Sequence, residues 1–333
     1  MRTLLTFSIL ILFLCTGCLP TVPKSDDEAA EELIVTPDFN KPVPLVEKLI
    51  PRVDPPATTT PPEEPKAEPG DSSETTSGIP AQSLRKYAAA VVPLPPIEDL
   101  ITQVNEYIKK IGQSLESLDG SPRYAADAGD IVRDTNALAL IALAIGLSET
   151  DSIYKKSASQ IIAAARNLAA AKNLEDGQKA YEALKASLTS TDTGKPLSWS
   201  DKVAVLTPAM KALPNLSSAI KRVTNTEGKL NVILDQQAQQ VFGQIAAMAV
   251  ISQGCIPNVT ETTKPDAVAE WKKHCEDFRD AALKVNAVTR QYAQDRTGKK
   301  EHDYAAFTAA FKTMAESCDD CHRTFYPNAI GTQ

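Results

Sequence analysis

The residues best suited to chemistry lie near the C-terminal end of the sequence, where Cys318-Asp319-Asp320-Cys321-His322 forms a Cys-x-x-Cys-His motif. Two thiols three residues apart fall on one face of a helical turn, with the next imidazole beside them. This combination is typical of covalent haem attachment, in which Cys318 and Cys321 form thioethers and His322 ligates the iron. With six cysteines and three histidines in the chain, the odds of a chance match are on the order of one in a thousand. The motif therefore predicts one covalent haem c per chain.

Three other interpretations of the motif stay open. A thioredoxin-like redox pair would need a βαβ context, and no strand pattern accompanies the motif. A simple disulfide between Cys318 and Cys321 would leave His322 without a role. A structural zinc site would need a further ligand. The side chains left to offer one are His274, His302, Cys255 and Cys275.

The composition indicates what kind of elements must position the motif. Of 333 residues, 43% are hydrophobic but only 5% are aromatic, so alanine and leucine must fill the interior, which suits helix packing better than a sheet. A net charge of −7 argues against a nucleic-acid partner, which would require a basic face. No phosphate-binding glycine loop occurs. No nucleophile–base pair or second metal cluster is visible either, so we expect no catalytic activity.

Apolar residues recur at helical spacing from Ile97 onward, and Gly, Pro or Ser/Thr/Asp clusters interrupt them. Pro208, Pro214 and Pro265 fit helix starts or a break, and Gly254 fits a helix end. The predicted helices form two sets of four. The first set is 97–118, 125–147, 151–172 and 176–190, and the second set is 203–223, 228–253, 265–294 and 303–320.

The two sets resemble each other in sequence. Ala137 to Leu147 (ALALIALAIGL) is similar to Phe242 to Ser252 (FGQIAAMAVIS), and each closes the second helix of its set. We therefore predict an all-α fold with two antiparallel, duplicated four-helix bundles, a haem-free one at 97–200 and a haem-binding one at 201–333. The alternative is one larger, irregular helical domain.

The motif and its placement together resemble a known family. Ser317 to Phe325 reads SCDDCHRTF and closes the last predicted helix. It resembles the class II c-type cytochromes, the cytochrome c prime group, which are four-helix bundles whose last helix carries Cys-x-x-Cys-His-x-x-Phe/Tyr. The resemblance covers about residues 203–330. The chain departs from the family at Tyr326, where Arg or Lys is common, although Arg323 could partly replace that basic group.

The resemblance also implies what faces the iron from the first helix of the haem-binding bundle. An apolar residue there leaves iron five-coordinate and open to small gases, whereas methionine completes an electron carrier. Met210 is the candidate distal ligand and His302 the second candidate. We expect Met248 in the core and His274 on the surface. The side chains expected to pack against the porphyrin are Phe307, Phe311, Met314 and Phe325.

The N-terminal region carries export signals. Arg2 and the apolar run that follows it predict a signal peptide at 1–17. Leu14 to Cys18 (LCTGC) resembles a bacterial lipobox, with Cys15 as a departure, and implies a lipid anchor on Cys18; an ordinary signal peptide is the alternative. The proline-rich segment 18–96 predicts a disordered tether, because it is too polar to form a core.

The two remaining cysteines are Cys255 and Cys275, which an oxidising compartment would favour as a disulfide; free buried thiols are the alternative.

Taken together, these features predict a membrane-tethered, periplasm-facing mono-haem cytochrome that transfers single electrons between redox partner proteins. A homodimer is a further candidate assembly. The alternatives are a five-coordinate haem protein that senses or scavenges nitric oxide or carbon monoxide, and a non-haem helical adaptor lipoprotein.

Overall fold

The computed structural model describes residues 92–118 and 124–327, and all regular elements in these ranges are helical. The all-α prediction is confirmed. The predicted signal peptide, the lipid-anchor residue Cys18 and nearly all of the tether lie outside the described residues. The α-helices are α1 Ile97–Ser117, α2 Tyr124–Asp127, α3 Gly129–Leu147, α4 Ala158–Ala169, α5 Leu174–Ser187, α6 Leu206–Thr224, α7 Glu227–Gly254, α8 Val268–Thr297 and α9 Tyr304–Phe325, with a 3-10 helix at Ile256–Glu261.

Helices α3 and α7 form the centre of the fold. Every residue from Ala137 to Ile145 in α3 is buried, as is every residue from Val241 to Gly254 in α7. A helix that is apolar on all sides must be surrounded by other elements. The two helices also approach closely, because a Cβ added to Gly254 would lie 2.6 Å from the side chain of Leu140.

The same order of helix pairing occurs in both halves of the described chain. In the first half α3 packs on α1 and α4, and α4 packs on α5; in the second half α7 packs on α6 and α8, and α8 packs on α9. Contacts between the halves follow the same scheme, since α1 also packs on α7 and α6 also packs on α3. The central pair, α3 and α7, thus joins the two halves of the described chain. The division of the chain into two separate four-helix bundles stays a prediction.

Several helix boundaries differ from those predicted. The helix expected from residue 151 begins only at Ala158, because residues 153–157 form turns. Pro214 lies inside α6 without ending it. The last helix was expected to end at residue 320 but continues to Phe325, so it includes the whole motif.

Candidate functional site

Helix α9 places the three residues of the motif at one cavity. Cys318, Cys321 and His322 are separated by three and four residues, so they share one helix face. All three side chains line the cavity, which has a volume of about 380 Å³. Cofactor and ligand cavities typically measure roughly 300–1,000 Å³. The motif therefore lies at a partly open cavity whose volume falls within this range.

Helices α6 and α8 supply most of the remaining wall. The side chains that they contribute are predominantly apolar. Those of α6 include Leu206, Met210, Leu213 and Pro214, and those of α8 include Trp271, His274, Cys275 and Phe278. Such a lining excludes water and lowers the local polarity.

Met210 is brought to the cavity by the helix on which the sequence analysis placed it. It lies one turn after Leu206, and both side chains line the same wall. Pro214 follows four residues later and has no N–H, so the carbonyl of Met210 cannot accept the usual helical hydrogen bond. The turn that carries Met210 is therefore held by fewer bonds of its own helix than an ordinary turn.

His274 also lines the cavity, although the sequence analysis placed it on the surface. Its ring meets that of Phe325 edge-on, with the centroids 5.9 Å apart. The side chain of His274 is half-buried. The signal that could have located it is its spacing from Trp271 and Phe278, three and four residues away, which puts all three on one stripe of α8.

Phe325 anchors the end of the motif helix without lining the cavity. Its ring is fully buried and packs edge-on against Trp271, a cavity residue, at 5.1 Å between centroids. The backbone carbonyl of Phe325 accepts a hydrogen bond from Thr263, and the hydroxyl of Tyr326 donates to the carbonyl of Glu261 at 3.4 Å. Phe325 thus packs behind Trp271, and its expected contact with a porphyrin stays a prediction.

The other three residues expected beside the porphyrin lie nearer the start of α9, and none of them lines the cavity. Phe307 and Met314 are buried in the core, and Phe311 stacks on Phe307 with ring centroids 6.1 Å apart. A helix rises 1.5 Å per residue, so Phe307 lies about 16 Å along the axis from Cys318. These side chains hold α9 against its neighbours.

His302 lies at the far end of α9 from the motif. Its Nε2 is 3.0 Å from a carboxylate oxygen of Glu227, and its ring meets Tyr292 edge-on at 4.7 Å. Twenty residues separate it from His322, which corresponds to about 30 Å of helix. The structure therefore does not bring His302 to the site.

The two thiols of the motif are half-buried, whereas Asp319 and Asp320 are exposed. Burial, with a further contribution from the nearby Cys318, raises the pKa of the Cys321 thiol to about 12. Burial and the charge of Asp319 raise the pKa of Cys318. Both cysteines are therefore neutral thiols at pH 7. Nδ1 of His322 is buried and has no hydrogen-bond partner.

Cys255 and Cys275 are free, buried thiols, so the predicted disulfide between them is not formed in this structure. Their surroundings differ, because Cys275 lines the cavity whereas Cys255 does not. The carbonyl of Cys255 accepts a hydrogen bond from the indole N–H of Trp271 at 3.1 Å. Burial raises the pKa of both thiols, which keeps them protonated.

Comparisons with known proteins do not assign the chain to a family: no protein-family model, no curated protein and no solved structure matches it. Across residues 92–118 and 124–327, no three or more Cys, His, Asp or Glu side chains converge as a metal-ion site. None of the helices in these ranges has both the length and the apolarity that crossing a membrane requires.

Proposed function

We propose that this protein is a mono-haem c-type cytochrome that transfers single electrons between redox partner proteins. The observation that carries the proposal is the shared cavity, into which one helix places Cys318, Cys321 and His322 while another places Met210. Thiol, imidazole and thioether groups are the side chains by which proteins hold c-type haem.

The residues present fit such a group. Within the described part of the chain, the buried Nδ1 of His322 has no hydrogen-bond partner, so that nitrogen is not tied to another side chain. The cavity between α6, α8 and α9 is mostly apolar, as suits the flat hydrophobic face of a porphyrin. Cys318 and Cys321 are free thiols, the form needed to make thioethers. These features together support haem more strongly than a disulfide, which would leave both the cavity and His322 unused.

When bound, haem supplies the one-electron chemistry of its iron. Cys318 and Cys321 would hold it through two covalent bonds, and His322 would ligate the iron from the same helix. Met210, from α6, would supply a further ligand to the iron. The apolar wall that includes Leu206 and Leu213 would keep water away and thereby influence the reduction potential.

A second candidate function, the binding of a small gas, is favoured by one feature of the α6 wall. Met210 shares that wall with the apolar Leu206, Leu213 and Pro214, any of which would leave the distal position open. The two functions differ in whether a sulfur ligand occupies that position.

Electronic spectra of the full chain, recorded oxidised, reduced, and reduced under carbon monoxide, distinguish the two functions. We expect a low-spin spectrum in the wild type with little uptake of carbon monoxide. Met210→Leu should give a high-spin ferrous form that binds carbon monoxide stoichiometrically. Met248→Leu is the matched control, because Met248 is buried in α7 away from the cavity. A wild type that binds carbon monoxide as readily as Met210→Leu would favour the gas-binding function, and a chain without a haem spectrum would refute both.

The wider organisation also belongs to this proposal. Export by residues 1–17, a lipid on Cys18 and a proline-rich tether would present the haem domain on the periplasmic side of a bacterial membrane. The repeated helix pairing supports an origin by duplication, with haem retained in the second copy alone.

A further inference from the structure

The start of α6 is held by side chains that belong to other elements. A helix leaves its first N–H groups without partners inside the helix. Here the side chain of Val205, the residue before the first turn, gives no cap. Instead Asn136 Oδ1 accepts the Val205 N–H at 2.7 Å, and Glu261 Oε2 accepts the Leu206 N–H at 2.8 Å. Asn258 Nδ2 donates to the carbonyl of Ala204 at 2.9 Å.

These three side chains, Asn136, Asn258 and Glu261, all bond to the backbone at the start of α6, and we define them as the clamp; the two amides are buried and the carboxylate is partly exposed. Asn136 is 4% exposed and Asn258 is fully buried. Asn258 Nδ2 also donates to Glu261 Oε1 at 2.9 Å, and Lys202 pairs with the same carboxylate. Asn136 Nδ2 donates to the carbonyl of Val132 in α3 at 2.7 Å, which fixes the orientation of its amide. The clamp therefore has little freedom to move.

The clamp lies directly beside the cavity wall that carries Met210. Leu206, whose N–H it holds, lines the cavity one turn before Met210. Pro214 in the next turn of α6 has no N–H and leaves the carbonyl of Met210 without its helical partner. The position of this turn consequently depends on bonds from outside the helix.

We propose that Asn136, a residue of the first half, acts with Glu261 as a positioning pair that sets the place of Met210 in the cavity. The inference rests on the proposed function for its spectroscopic part only. It assigns a role to the haem-free half: α3 supplies a fixed hydrogen-bond acceptor that the start of α6 requires.

The test compares Asn136→Leu with Thr135→Val in the full chain. Thr135 is the neighbouring residue of α3, fully buried, and its hydroxyl donates only to carbonyls of its own helix. In hydrogen exchange, we expect Asn136→Leu to speed exchange of the Val205 and Leu206 amides by about fivefold or more relative to amides in the centre of α8. Thr135→Val should change the exchange rates of the Val205 and Leu206 amides and those of the α8 amides by the same factor.

The second readout is the fraction of reduced protein that binds carbon monoxide, which a merely structural role would not alter. We expect Asn136→Leu to raise this fraction severalfold, toward that of Met210→Leu, while Thr135→Val leaves it unchanged. If Asn136→Leu does not fold, Glu261→Ala removes the other acceptor from a partly exposed site and is expected to give the same two changes.

If hydrogen exchange of the Val205 and Leu206 amides is unchanged in Asn136→Leu, the proposed role of the clamp in holding the start of α6 is refuted. Faster exchange with unchanged carbon monoxide binding would overturn its link to Met210. A chain that carries no haem would refute the proposed function and the link to the iron, while the exchange measurement would still decide whether Asn136 holds the start of α6.

Discussion

The two halves of the chain treat the space between their first and last helices differently. In the first half α5 packs on α1, and the Tyr181 hydroxyl donates to the carbonyl of Ile108 at 3.0 Å. That hydroxyl would lie 2.6 Å from a Cβ added to Gly112, so the Tyr181 ring packs directly on the backbone of α1. It thereby fills the seam, by which we mean the contact between the first and last helices of a half. In the second half α6 and α9 border a cavity of about 380 Å³. One pairing scheme thus gives a filled seam in one half and a partly open cavity in the other.

Glycine and tyrosine account for much of this difference. A second contact of the same kind occurs where the Tyr124 hydroxyl would lie 2.5 Å from a Cβ on Gly177 of α5. Glycine lets a neighbouring group approach the helix backbone closely. Helices α6 and α9 contain no glycine. The comparison teaches that a few residues at one seam decide whether a helical bundle has room for a cofactor.

The largest effect on stability is expected from Trp271, and the chain's other tryptophan, Trp199 in the first half, offers a comparison. Trp271→Ala removes a 1% exposed side chain that packs on Phe325 and donates to the Cys255 carbonyl, so it should lower the free energy of unfolding by about 4 kcal/mol. Trp199→Ala removes a partly exposed ring and should cost about 1 kcal/mol. Urea unfolding measures both. Equal losses would mean that the wall around Trp271 is not a packed layer.

A smaller effect should distinguish the filled seam from the cavity. Tyr181→Ala removes the ring that lies against Gly112 and a hydrogen bond to α1, and we expect a loss of about 2 kcal/mol in the free energy of unfolding. Met210→Ala removes a side chain that already borders empty space, so in the haem-free chain the loss should stay below about 1 kcal/mol. The reverse order in urea unfolding would contradict the proposed contrast between the halves.

The smallest effect concerns how stability depends on pH through Glu261, which lies at the junction of the two halves. Burial acts to raise the pKa of Glu261, but hydrogen bonds from Lys202, the Leu206 N–H and Asn258 hold it below its ordinary value of 4.5. A lowered carboxyl pKa in the folded state contributes stability that is present above pH 4.5 and is lost as the pH falls through the folded-state pKa. In Glu261→Gln, the free energy of unfolding should therefore fall less between neutral and acid pH than it does in the wild type.

Glu182→Gln is the matched control for this acid titration. Glu182 lies on the exposed side of α5, 68% exposed, and pairs only with Lys185 at 2.8 Å. Exposed ion pairs contribute little, so this variant should unfold in acid as the wild type does. Thermal unfolding between about pH 3 and 7 compares the three proteins. Identical curves for Glu261→Gln and the wild type would show that the carboxylate does not stabilise the start of α6.

Local sequence pattern predicted the helices where one face is apolar and the other polar. Leu100, Val104 and Ile111, at the centre of the apolar stripe of α1, are fully buried as their spacing requires. The pattern was wrong at 151–157, because residues 153–157 form turns and leave Ile153 70% exposed. An apolar residue at helical spacing belongs to a helix only where a neighbouring element covers it.

The motif itself could be found from residue types alone, but the cavity could not. Its existence depends on how far α6 stays from α9, which is set by packing in both halves. His274 was misplaced for the same reason, since its exposure depends on the helix that covers it. The clamp at Val205 and Leu206 likewise joins α3 to a segment 69 residues later, and no local pattern contains that information.

The most direct test of the proposed haem-binding role is the intact mass of the denatured full chain after export in a host that matures c-type cytochromes. The account predicts the added mass of one haem in the wild type and in Cys255→Ser/Cys275→Ser, and no added mass in Cys318→Ser/Cys321→Ser. A wild type without covalent haem, or a Cys318→Ser/Cys321→Ser variant that still carries it, would contradict the account.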